Sequence, residues 1–330
     1  MAKARETLLI TGATGFLGSE VLRLACERDW HVRALVRNSR QRVPGAEAVV
    51  GTLGDKAALL LAMEGVAAVI HTAGLAHVFG KKANNIAAFT EVNEAGTANV
   101  VEAAVQCRVE RIVLASSVSV YGASADGNTC DESTLCRPQT VYAISKYRAE
   151  LRAAEAVAGT DTSLCTLRFA TIYGEGDRGN VAKLVRALKK GRFIWPGTGR
   201  NRKSLIYRSD AATACLLALD RTPKGISVYN VAAEPVSMRQ IVTAICDGLQ
   251  IPVPTLCISE RLLTFVMFTS RHLGDPAQLG ERIRKFLHDD VYPGTHFQNA
   301  CGYQTAVSLE RGMRLQATSA SPKQIPPHNR

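Results

Sequence analysis

The sequence predicts an α/β protein with a doubly wound parallel sheet and a smaller mixed α/β region towards the C-terminus. Three observations predict this fold class. Short apolar runs alternate with helical runs, which is the pattern of a parallel sheet covered by helices on both faces. A glycine-rich turn joins the first strand to the first helix. The 330 residues, 46% of them hydrophobic, are also enough to bury a full core.

The first strand and the turn after it give the clearest local signal. Residues 7–10 form an apolar strand, and residues 19–28 form a helical run. Between them, Gly12 would allow the tight turn, Gly15 would let backbone approach a pyrophosphate, and Gly18 would let the helix lie close to the sheet. The N-terminus of the helix would then face the phosphates. Strand, turn and helix together predict a Rossmann dinucleotide site.

The end of the second strand, residues 31–37, indicates whether NAD or NADP binds. In proteins that bind NAD, an acidic residue near the end of this strand holds the ribose 2′-hydroxyl. This chain has Arg37 there, with Arg40 and Arg42 close by. A cation suits the 2′-phosphate of NADP, and the alternative is a solvated basic loop. Charge alone therefore favours NADP.

The remaining elements continue the alternation. Further strands are predicted at residues 48–50, 67–70, 111–115, 163–168 and 228–231, and helices at residues 55–63, 89–106, 180–190, 211–220 and 237–249. His71 closes the fourth strand, where we expect a hydrogen-bonded core histidine rather than a ligand. Ser117 and Ser119 follow the fifth strand, at the edge where such sheets bind ligands, and either hydroxyl could bond a substrate oxygen.

Tyr142 and Lys146 stand four residues apart in a run without glycine or proline. On a helix this spacing puts both side chains on one face. An ammonium beside a phenol stabilises the phenolate, so we expect the pKa of Tyr142 to fall from about 10 and the phenol to act as an acid and base. The alternative is a surface lysine beside a half-buried tyrosine, and it is the surrounding motifs that disfavour it.

Composition excludes several classes of protein. No apolar run approaches the ~20 residues of a membrane span, and the longest, residues 262–268, is predicted to be a buried helix. The chain runs into a strand too early for a signal peptide, and its nine cysteines lack metal-ligand spacing, so we expect reduced thiols in a cytoplasmic protein. The net charge of +11 is spread along the chain. Part of it lies in residues 183–208, where a phosphorylated small substrate explains it at least as well as nucleic acid.

These motifs together resemble the extended short-chain dehydrogenase/reductase family, the group of NAD(P)-dependent epimerases and dehydratases. The matching segments, in the family's order over about residues 5–235, are residues 11–18 (TGATGFLG), 71–73 (HTA), 93–97 (NEAGT), 116–122 (SSVSVYG), 142–146 (YAISK) and 167–174 (LRFATIYG). Within the family, residues 76–79 and 89–93 look like bacterial nucleotide-sugar 4-epimerases. Residues 301–303 and 308–313 are similar to the C-terminal part of such enzymes.

The resemblance implies roles for individual residues. Ser117, Tyr142 and Lys146 are implied to be catalytic. The implied contacts of NAD or NADP are Gly12, Thr14, Gly15, Phe16, Leu17, Gly18, Arg37, Thr52, Leu53, Thr72, Ala73, Gly74, Asn93, Tyr142, Lys146, Phe169, Thr171 and Ile172. The implied reaction is hydride transfer from a sugar to the cofactor and back, with Tyr142 as the acid and base and Ser117 holding the substrate oxygen.

Three residues depart from the family's pattern. Thr52 stands where the family often has an aspartate that contacts adenine, Phe169 replaces a common proline, and Arg37 favours NADP although epimerases typically retain NAD. The last departure favours an NADPH-dependent reductase of a ketone or keto sugar, which stays open as an alternative. A non-catalytic dinucleotide-sensing regulator is a further alternative, but it would not need the implied catalytic residues.

The substrate is expected to be a nucleoside diphosphate sugar bound beyond the sixth strand. Asn180 is predicted to cap a helix whose N-terminus is an anion site. Arg202 and Lys203 follow in a glycine-flanked loop that resembles one used by related sugar-nucleotide enzymes. We therefore predict that the diphosphate binds between Asn180 and the Arg202–Lys203 loop.

We expect the chain to be divided into two regions and a tail. We expect a dinucleotide-binding domain at residues 1–168, to which residues 205–231 return. A substrate-binding region is expected at residues 169–204 and 232–316, and a disordered tail at residues 317–330. A homodimer is compatible with this arrangement, and neither nucleic acid nor a membrane span is expected.

Overall fold

The centre of the molecule is a seven-stranded parallel sheet. The structure, a computed structural model, describes residues 5–28, 30–76, 85–122, 129–258 and 287–319. The strands of the sheet, in chain order, are β1 (Thr7–Thr11), β2 (His31–Val36), β3 (Glu47–Val50), β4 (Val66–His71), β5 (Arg111–Ser117), β6 (Ser163–Phe169) and β11 (Ile226–Val231). Across the sheet they run β3-β2-β1-β4-β5-β6-β11, and each neighbouring pair is parallel. The winding reverses between β1 and β4, so the carboxyl ends of these strands frame a ligand crevice. The predicted fold class is confirmed.

Helices cover both faces of the sheet. They are α1 (Gly18–Cys26), α2 (Lys56–Met63), α3 (Ile86–Phe89), α4 (Gly96–Gln106), α5 (Val141–Val157), α6 (Asn180–Lys189), α7 (Arg208–Arg221), α8 (Met238–Leu249), α9 (Thr295–Cys301) and α10 (Leu309–Ser319). A π-helical turn (Thr90–Ala95) joins α3 to α4, and a 3₁₀ turn (Val118–Tyr121) follows β5. In the part of the chain that the structure describes, no helix is both long and apolar enough to cross a membrane.

Three short strand pairs build the region beyond the carboxyl edge. They are β7 (Thr171–Tyr173) with β10 (Leu205–Tyr207), β8 (Trp195–Pro196) with β13 (Cys257–Ile258), and β9 (Arg202–Lys203) with β12 (Val236–Ser237). The first two pairs are parallel and the third is antiparallel.

Strand β1 shows why the sheet requires helices on both sides. Leu8 and Ile10 point to the layer formed by α1 and α7, and Leu9 points to the layer formed by α2, α4 and α5. A strand that is buried on both faces has to be apolar throughout, and these three side chains are fully buried. A separate apolar cluster, which includes Val185 and Ile241, holds α6, α8 and α10 together.

Two predicted boundaries are wrong. The helix predicted at residues 89–106 begins three residues earlier, at Ile86, and contains a π turn at residues 90–95 that directs Asn93 towards the loop after β4. The tail predicted from residue 317 begins too early, since α10 continues to Ser319 and buries Ala317. The residues from 320 onward, the helix predicted at residues 262–268 and residues 77–79 lie outside the described residues.

Candidate active site

The glycine-rich turn has the geometry that a dinucleotide site requires. Gly12 has a φ of +75°, and a Cβ on it would lie 2.6 Å from the backbone nitrogen of Ala73. A Cβ on Gly18 would lie 2.1 Å from the Gly12 carbonyl oxygen and 2.5 Å from Thr72 Oγ1. Gly15 and Thr14 are exposed at the crest of the turn. The turn therefore fits a pyrophosphate, because only glycine permits so close an approach of β1, α1 and the segment after β4.

The loop after β2 is tied to this turn by a residue that the motifs did not single out. Gln41 Oε1 accepts a hydrogen bond from the backbone nitrogen of Arg37 at 2.7 Å, and Gln41 Nε2 donates to Thr14 Oγ1 at 3.1 Å. Arg37 is itself exposed, so its guanidinium is accessible to a ligand. The structure thus brings Arg37 and Thr14 to one edge of the sheet.

The loop after β3 packs against α4. Thr52 is exposed and Leu53 is half-buried. Asn99 Nδ2 donates to the Leu53 carbonyl oxygen at 2.9 Å, and a Cβ on Gly96 would lie 2.9 Å from the Leu53 side chain. These contacts hold residues 52–53 beside the carboxyl ends of β1 and β2, where the adenosine end of a dinucleotide lies in such folds.

Ser117, Tyr142 and Lys146 come together at the carboxyl end of β5. Thr140 caps α5 by accepting from the backbone nitrogen of Ala143 at 3.2 Å, which fixes the first turn that carries Tyr142. Ser117 lies close enough to the Tyr142 phenol for its hydroxyl to lower the pKa of that phenol. Lys146 is buried, and its Nζ donates to the Ala115 carbonyl oxygen at 2.6 Å.

Burial controls the charge on these groups. It raises the pKa of Tyr142, and the hydrogen bond from Ser117 lowers that pKa only in part. Burial also lowers the pKa of Lys146 to about 8, against the Glu150 carboxylate, which raises it. The expected fall in the pKa of Tyr142 is therefore wrong for the chain alone, because desolvation of the phenolate outweighs the hydrogen bond.

Asn93 connects the loop after β4 to the first turn of α5. Its Oδ1 accepts from the backbone nitrogen of Leu75 at 2.6 Å, and its Nδ2 donates to the Leu75 carbonyl oxygen at 3.1 Å and to Ser145 Oγ at 2.9 Å. Ser145 Oγ in turn donates to the Tyr142 carbonyl oxygen at 2.8 Å. Asn93 therefore fixes the backbone on which Tyr142 stands.

His71 lies beneath Lys146 and is fully buried. Its ring nitrogens contact Thr11 Oγ1 at 2.5 Å and Thr97 Oγ1 at 3.0 Å, so it is the hydrogen-bonded core histidine that was expected. Desolvation, and then the nearby Lys146 ammonium, lower the pKa of His71 to about 3. The imidazole is consequently neutral at physiological pH.

A buried ionic network supports the base of the site. Glu150, one turn after Lys146, binds the Arg168 guanidinium at 2.7 Å and accepts a short hydrogen bond from Ser116. Arg168 Nη1 also donates to Tyr121 Oη at 3.1 Å. Since Ser116 lies between Ala115 and Ser117, the network fixes the strand end that contacts Lys146 and Tyr142. The four-residue spacing from Lys146 to Glu150 could have predicted that Glu150 lies on the same helix face as Lys146.

The segment after β6 lies directly beside Ser117. Phe169 pairs with Ser117 across the two strands, and it is buried. Thr171 is exposed and Ile172 is half-buried. Ser119 lies in the 3₁₀ turn, where its backbone nitrogen donates to Ser117 Oγ at 3.2 Å. Its own Oγ is buried and has no hydrogen-bond partner among the described residues.

The residues predicted to bind the diphosphate are partly separated. Asn180 is exposed at the first position of α6 and is not the cap that was predicted. Asp177 caps the helix instead, because its carboxylate accepts hydrogen bonds from the backbone nitrogen of Gly179 and, at 2.9 Å, from that of Ala182. Arg202 is exposed, whereas its neighbour Lys203 is buried and pairs with Asp290 at 2.5 Å. Adjacent residues of a strand point to opposite faces, which is why β9 separates the two cations.

Arg208, also missed, joins the glycine-rich turn to the loop after β7. Its guanidinium lies 5.3 Å from the centre of the Phe16 ring and 3.2 Å from the Glu20 carboxylate. It also donates to Ser19 Oγ at 3.1 Å and to the Glu175 carbonyl oxygen at 3.0 Å. Phe16 and Leu17 are half-buried.

All nine cysteines are free thiols. Among the described residues, no group of three or more His, Cys, Asp or Glu side chains could hold a metal ion.

A family model described as "NAD dependent epimerase/dehydratase family" matches residues 8–232. The chain is 30% identical over 316 residues to the N-acetyl-alpha-D-glucosaminyl-diphospho-ditrans,octacis-undecaprenol 4-epimerase of Escherichia coli O157:H7, covering 93% of each chain. It is also 30% identical over 335 residues to the 2-alkyl-3-oxoalkanoate reductase of Stenotrophomonas maltophilia, covering 95% of this chain and 99% of that one. The solved structure of MoeE5 in complex with UDP-glucose and NAD is 26% identical and superposes with a TM-score of 0.75, covering 95% and 98% of the two chains.

Proposed function

The chain belongs to the NAD-dependent epimerase/dehydratase family, and we propose that it is a 4-epimerase of a sugar carried on a diphosphate, with a nucleoside diphosphate sugar as the first candidate. The observation that carries this proposal is the meeting of Ser117, Tyr142 and Lys146 beside the glycine-rich turn. The E. coli relative, a 4-epimerase, and the MoeE5 complex, which contains UDP-glucose, support the substrate class.

The enzyme depends on NAD or NADP, and the geometry of its own residues fits that group. The turn from Gly12 to Gly18 would hold the pyrophosphate, residues 52–53 and Arg37 would hold the adenosine end, and Lys146 with residues 169–172 would hold the nicotinamide. The bound cofactor supplies a reversible acceptor for hydride.

Three side chains carry the proton chemistry. As the hydride leaves the sugar carbon, Tyr142 Oη takes the proton of the 4-hydroxyl, and in the reverse direction it returns that proton. Ser117 Oγ holds the same substrate oxygen. With a pKa of about 8, Lys146 is cationic at neutral pH and favours the phenolate. In an epimerase, the keto sugar turns between the two steps and receives the hydride on its other face.

The diphosphate is proposed to lie between the N-terminus of α6, at Asn180, and the exposed Arg202. Lys203 is proposed to act indirectly, because its ion pair with Asp290 and its 2.8 Å hydrogen bond to the His288 carbonyl oxygen anchor β9. Ser119 is proposed to bond the sugar, since its buried hydroxyl is close to Ser117.

A reductase of a ketone or keto sugar is the second candidate. Two observations favour it: Arg37 is exposed where an acidic residue would select NAD, and one 30% identical relative is named as a reductase. A reductase would use the same three catalytic side chains for a single hydride transfer and then release the oxidised cofactor.

The proposed epimerase is tested by incubating the protein with NAD and UDP-glucose, UDP-N-acetylglucosamine or their 4-epimers, and separating the products. We expect interconversion of at least one pair, and we expect Tyr142→Phe to reduce turnover roughly 10²–10⁴-fold while cofactor binding persists. Tyr147→Phe, on the same helix, is the matched control and should retain its turnover. Loss of equal size in both variants would contradict the role of Tyr142.

The cofactor released by denaturing the purified protein separates the two candidates. Retained NAD supports an epimerase, whereas protein without bound cofactor that reduces ketones with NADPH supports a reductase.

A further inference from the structure

Positive charge is concentrated in one stretch of the chain. Residues 178–208 contain ten Lys and Arg and no Asp or Glu, whereas the other residues carry 30 Lys and Arg against 29 Asp and Glu. Nearly all of the net charge of +11 thus comes from these residues. Lysine and arginine occur along the whole chain, but the acidic residues that balance them elsewhere are missing from residues 178–208, so the net charge is concentrated there.

Most of these cations are at the surface. Lys203 and Arg208 face inwards and form ion pairs. The remaining eight are exposed: Arg178, Lys183, Arg186, Lys189, Lys190, Arg192, Arg200 and Arg202. We call these eight residues the basic face. They follow β7, so the basic face lies beyond the same carboxyl edge of the sheet as the catalytic group.

Helix α6 explains how this surface arises. It buries Val181, Val185 and Leu188 against α8 and α10, which leaves its polar side outward. Cations in its last turn, such as Arg186, would also stabilise the helix by interacting with the negative end of its dipole. Lys190 and Arg192 lie beyond the helix, however, so the dipole does not account for the whole set.

Exposed apolar side chains lie among these cations. Ile194 is 41% exposed and Leu256 is 63% exposed. They are brought side by side, because the Trp195 nitrogen donates to the Leu256 carbonyl oxygen at 2.9 Å. A further cation, Arg239 of α8, lies 5.2 Å from the centre of the Trp195 ring. Aliphatic side chains surrounded by cations are typical of surfaces that insert shallowly into a bilayer.

We propose that the basic face, with Ile194 and Leu256, binds the anionic surface of a lipid bilayer. Lys and Arg side chains are attracted by the negative headgroups, and the two aliphatic side chains enter the boundary between headgroups and acyl chains. Nucleic acid fits less well, because proteins that bind single strands present exposed aromatic rings for stacking, whereas the exposed apolar residues here are aliphatic. This surface would bind the bilayer whichever sugar the enzyme uses.

The test is co-sedimentation of the purified full chain with vesicles. We expect binding to phosphatidylcholine vesicles that contain phosphatidylglycerol, weaker binding to phosphatidylcholine alone, and release as the salt concentration rises. Equal binding to both kinds of vesicle, or binding to neither, would overturn the proposal.

Matched variants locate the surface. Arg186→Gln with Lys190→Gln and Arg192→Gln should weaken binding roughly 100-fold, at about fivefold for each cation. The control combines Arg28→Gln, Arg108→Gln and Lys224→Gln. These residues are exposed near the amino ends of the strands, and their loss lowers the net charge equally. Equal weakening in both variants would mean that only total charge matters, contrary to the proposal.

Three further experiments complete the test. If the α6 variant melts at a lower temperature, Arg192→Gln with Arg200→Gln replaces it, because both residues lie outside helices. Ile194→Ser with Leu256→Ser should reduce binding several-fold at both low and high salt, since the apolar contribution is not screened. Displacement of the protein from vesicles by a short DNA duplex, with lipid binding no tighter than DNA binding, would assign the face to nucleic acid instead.

Discussion

At the scale of single residues, desolvation governs the chemistry beneath the site. Lys146 and His71 are both buried, and burial lowers the pKa of each, to about 8 and about 3 respectively. Lys146 is therefore a cation and the His71 imidazole beside it is neutral, so two positive charges do not lie together in a region of low dielectric. Glu150 contributes by raising the pKa of Lys146, so the ammonium persists at neutral pH.

His71 should make stability depend on pH. Its pKa is about 3 in the folded protein and near 6.5 when unfolded, so the unfolded chain takes up a proton first as the pH falls. The stabilisation is fully present above about pH 6.5 and is lost towards pH 3, at up to ~1.4 kcal/mol per pH unit. The free energy of unfolding, measured with urea at pH 7 and at pH 5, should fall less for His71→Gln than for the wild type. Identical losses would show that other groups dominate.

Arg37 should determine the choice of dinucleotide. Replacing it with aspartate removes a cation from the 2′-phosphate and offers a carboxylate to a ribose hydroxyl instead. We expect Arg37→Asp to shift the ratio of NADP to NAD affinity roughly 10–100-fold towards NAD, from the strength of charge-assisted hydrogen bonds. Fluorescence titration with both reduced cofactors measures this. Arg28→Asp, beyond the far end of α1, is the control. If Arg37→Asp leaves the ratio of NADP to NAD affinity unchanged, Arg37 is a solvated surface residue that does not contact the cofactor.

At the scale of elements, helix α6 depends on a residue that precedes it. The Asp177 carboxylate accepts from the backbone nitrogens of Gly179 and Ala182, where the helix would otherwise leave donors unpaired. Asn180, at the first position of the helix, is exposed and does not act as the cap. We therefore expect Asp177 to contribute to stability and Asn180 to contribute to the proposed binding of the diphosphate.

Substitution at these two positions should separate the effects. Asp177→Ala should reduce the free energy of unfolding by about 1 kcal/mol, as the loss of a cap typically does. Asn180→Ala should change stability by less than about 0.5 kcal/mol, since exposed positions tolerate substitution, and should instead weaken the binding of UDP. Chemical denaturation and calorimetry provide the two measurements. The reverse pattern would mean that Asn180 is the cap.

At the scale of the whole molecule, one arginine links the glycine-rich turn to the segment that precedes α6. Arg208 contacts Phe16, Ser19 and Glu20 on one side and Glu175 on the other. It therefore couples the glycine-rich turn to the segment that leads into α6.

Loss of this coupling should be measurable. Arg208→Gln should reduce the free energy of unfolding by about 2 kcal/mol, because a partly buried charged hydrogen-bond donor is removed. It should also speed the release of the dinucleotide, since Phe16 loses its partner. Arg23→Gln is the control: Arg23 binds the same Glu20 at 2.6 Å but is half exposed, so its effect should stay below about 1 kcal/mol. Equal destabilisation by both variants would mean that Arg208 does not couple the glycine-rich turn to the segment that leads into α6.

The sequence by itself determined the fold class and predicted that Ser117, Tyr142 and Lys146 lie close together. Apolar runs that alternate with helical runs predict a parallel sheet covered on both faces, and the spacing of Gly12, Gly15 and Gly18 predicts the turn after β1, so both features can be read from short segments of the chain. The spacing of Tyr142 and Lys146 likewise predicts a shared helix face, because helix geometry is local.

Only the tertiary structure decided what depends on distant partners. The pKa of Tyr142 depends on how deeply the phenol is buried, and the split between Arg202 and Lys203 depends on which face of β9 meets Asp290. The roles of Gln41, Asp177 and Arg208 are set by loops that approach one another across the carboxyl edge of the sheet. Segments far apart in the chain acquire their electrostatic environment only when packing brings them together, and no local pattern records that environment.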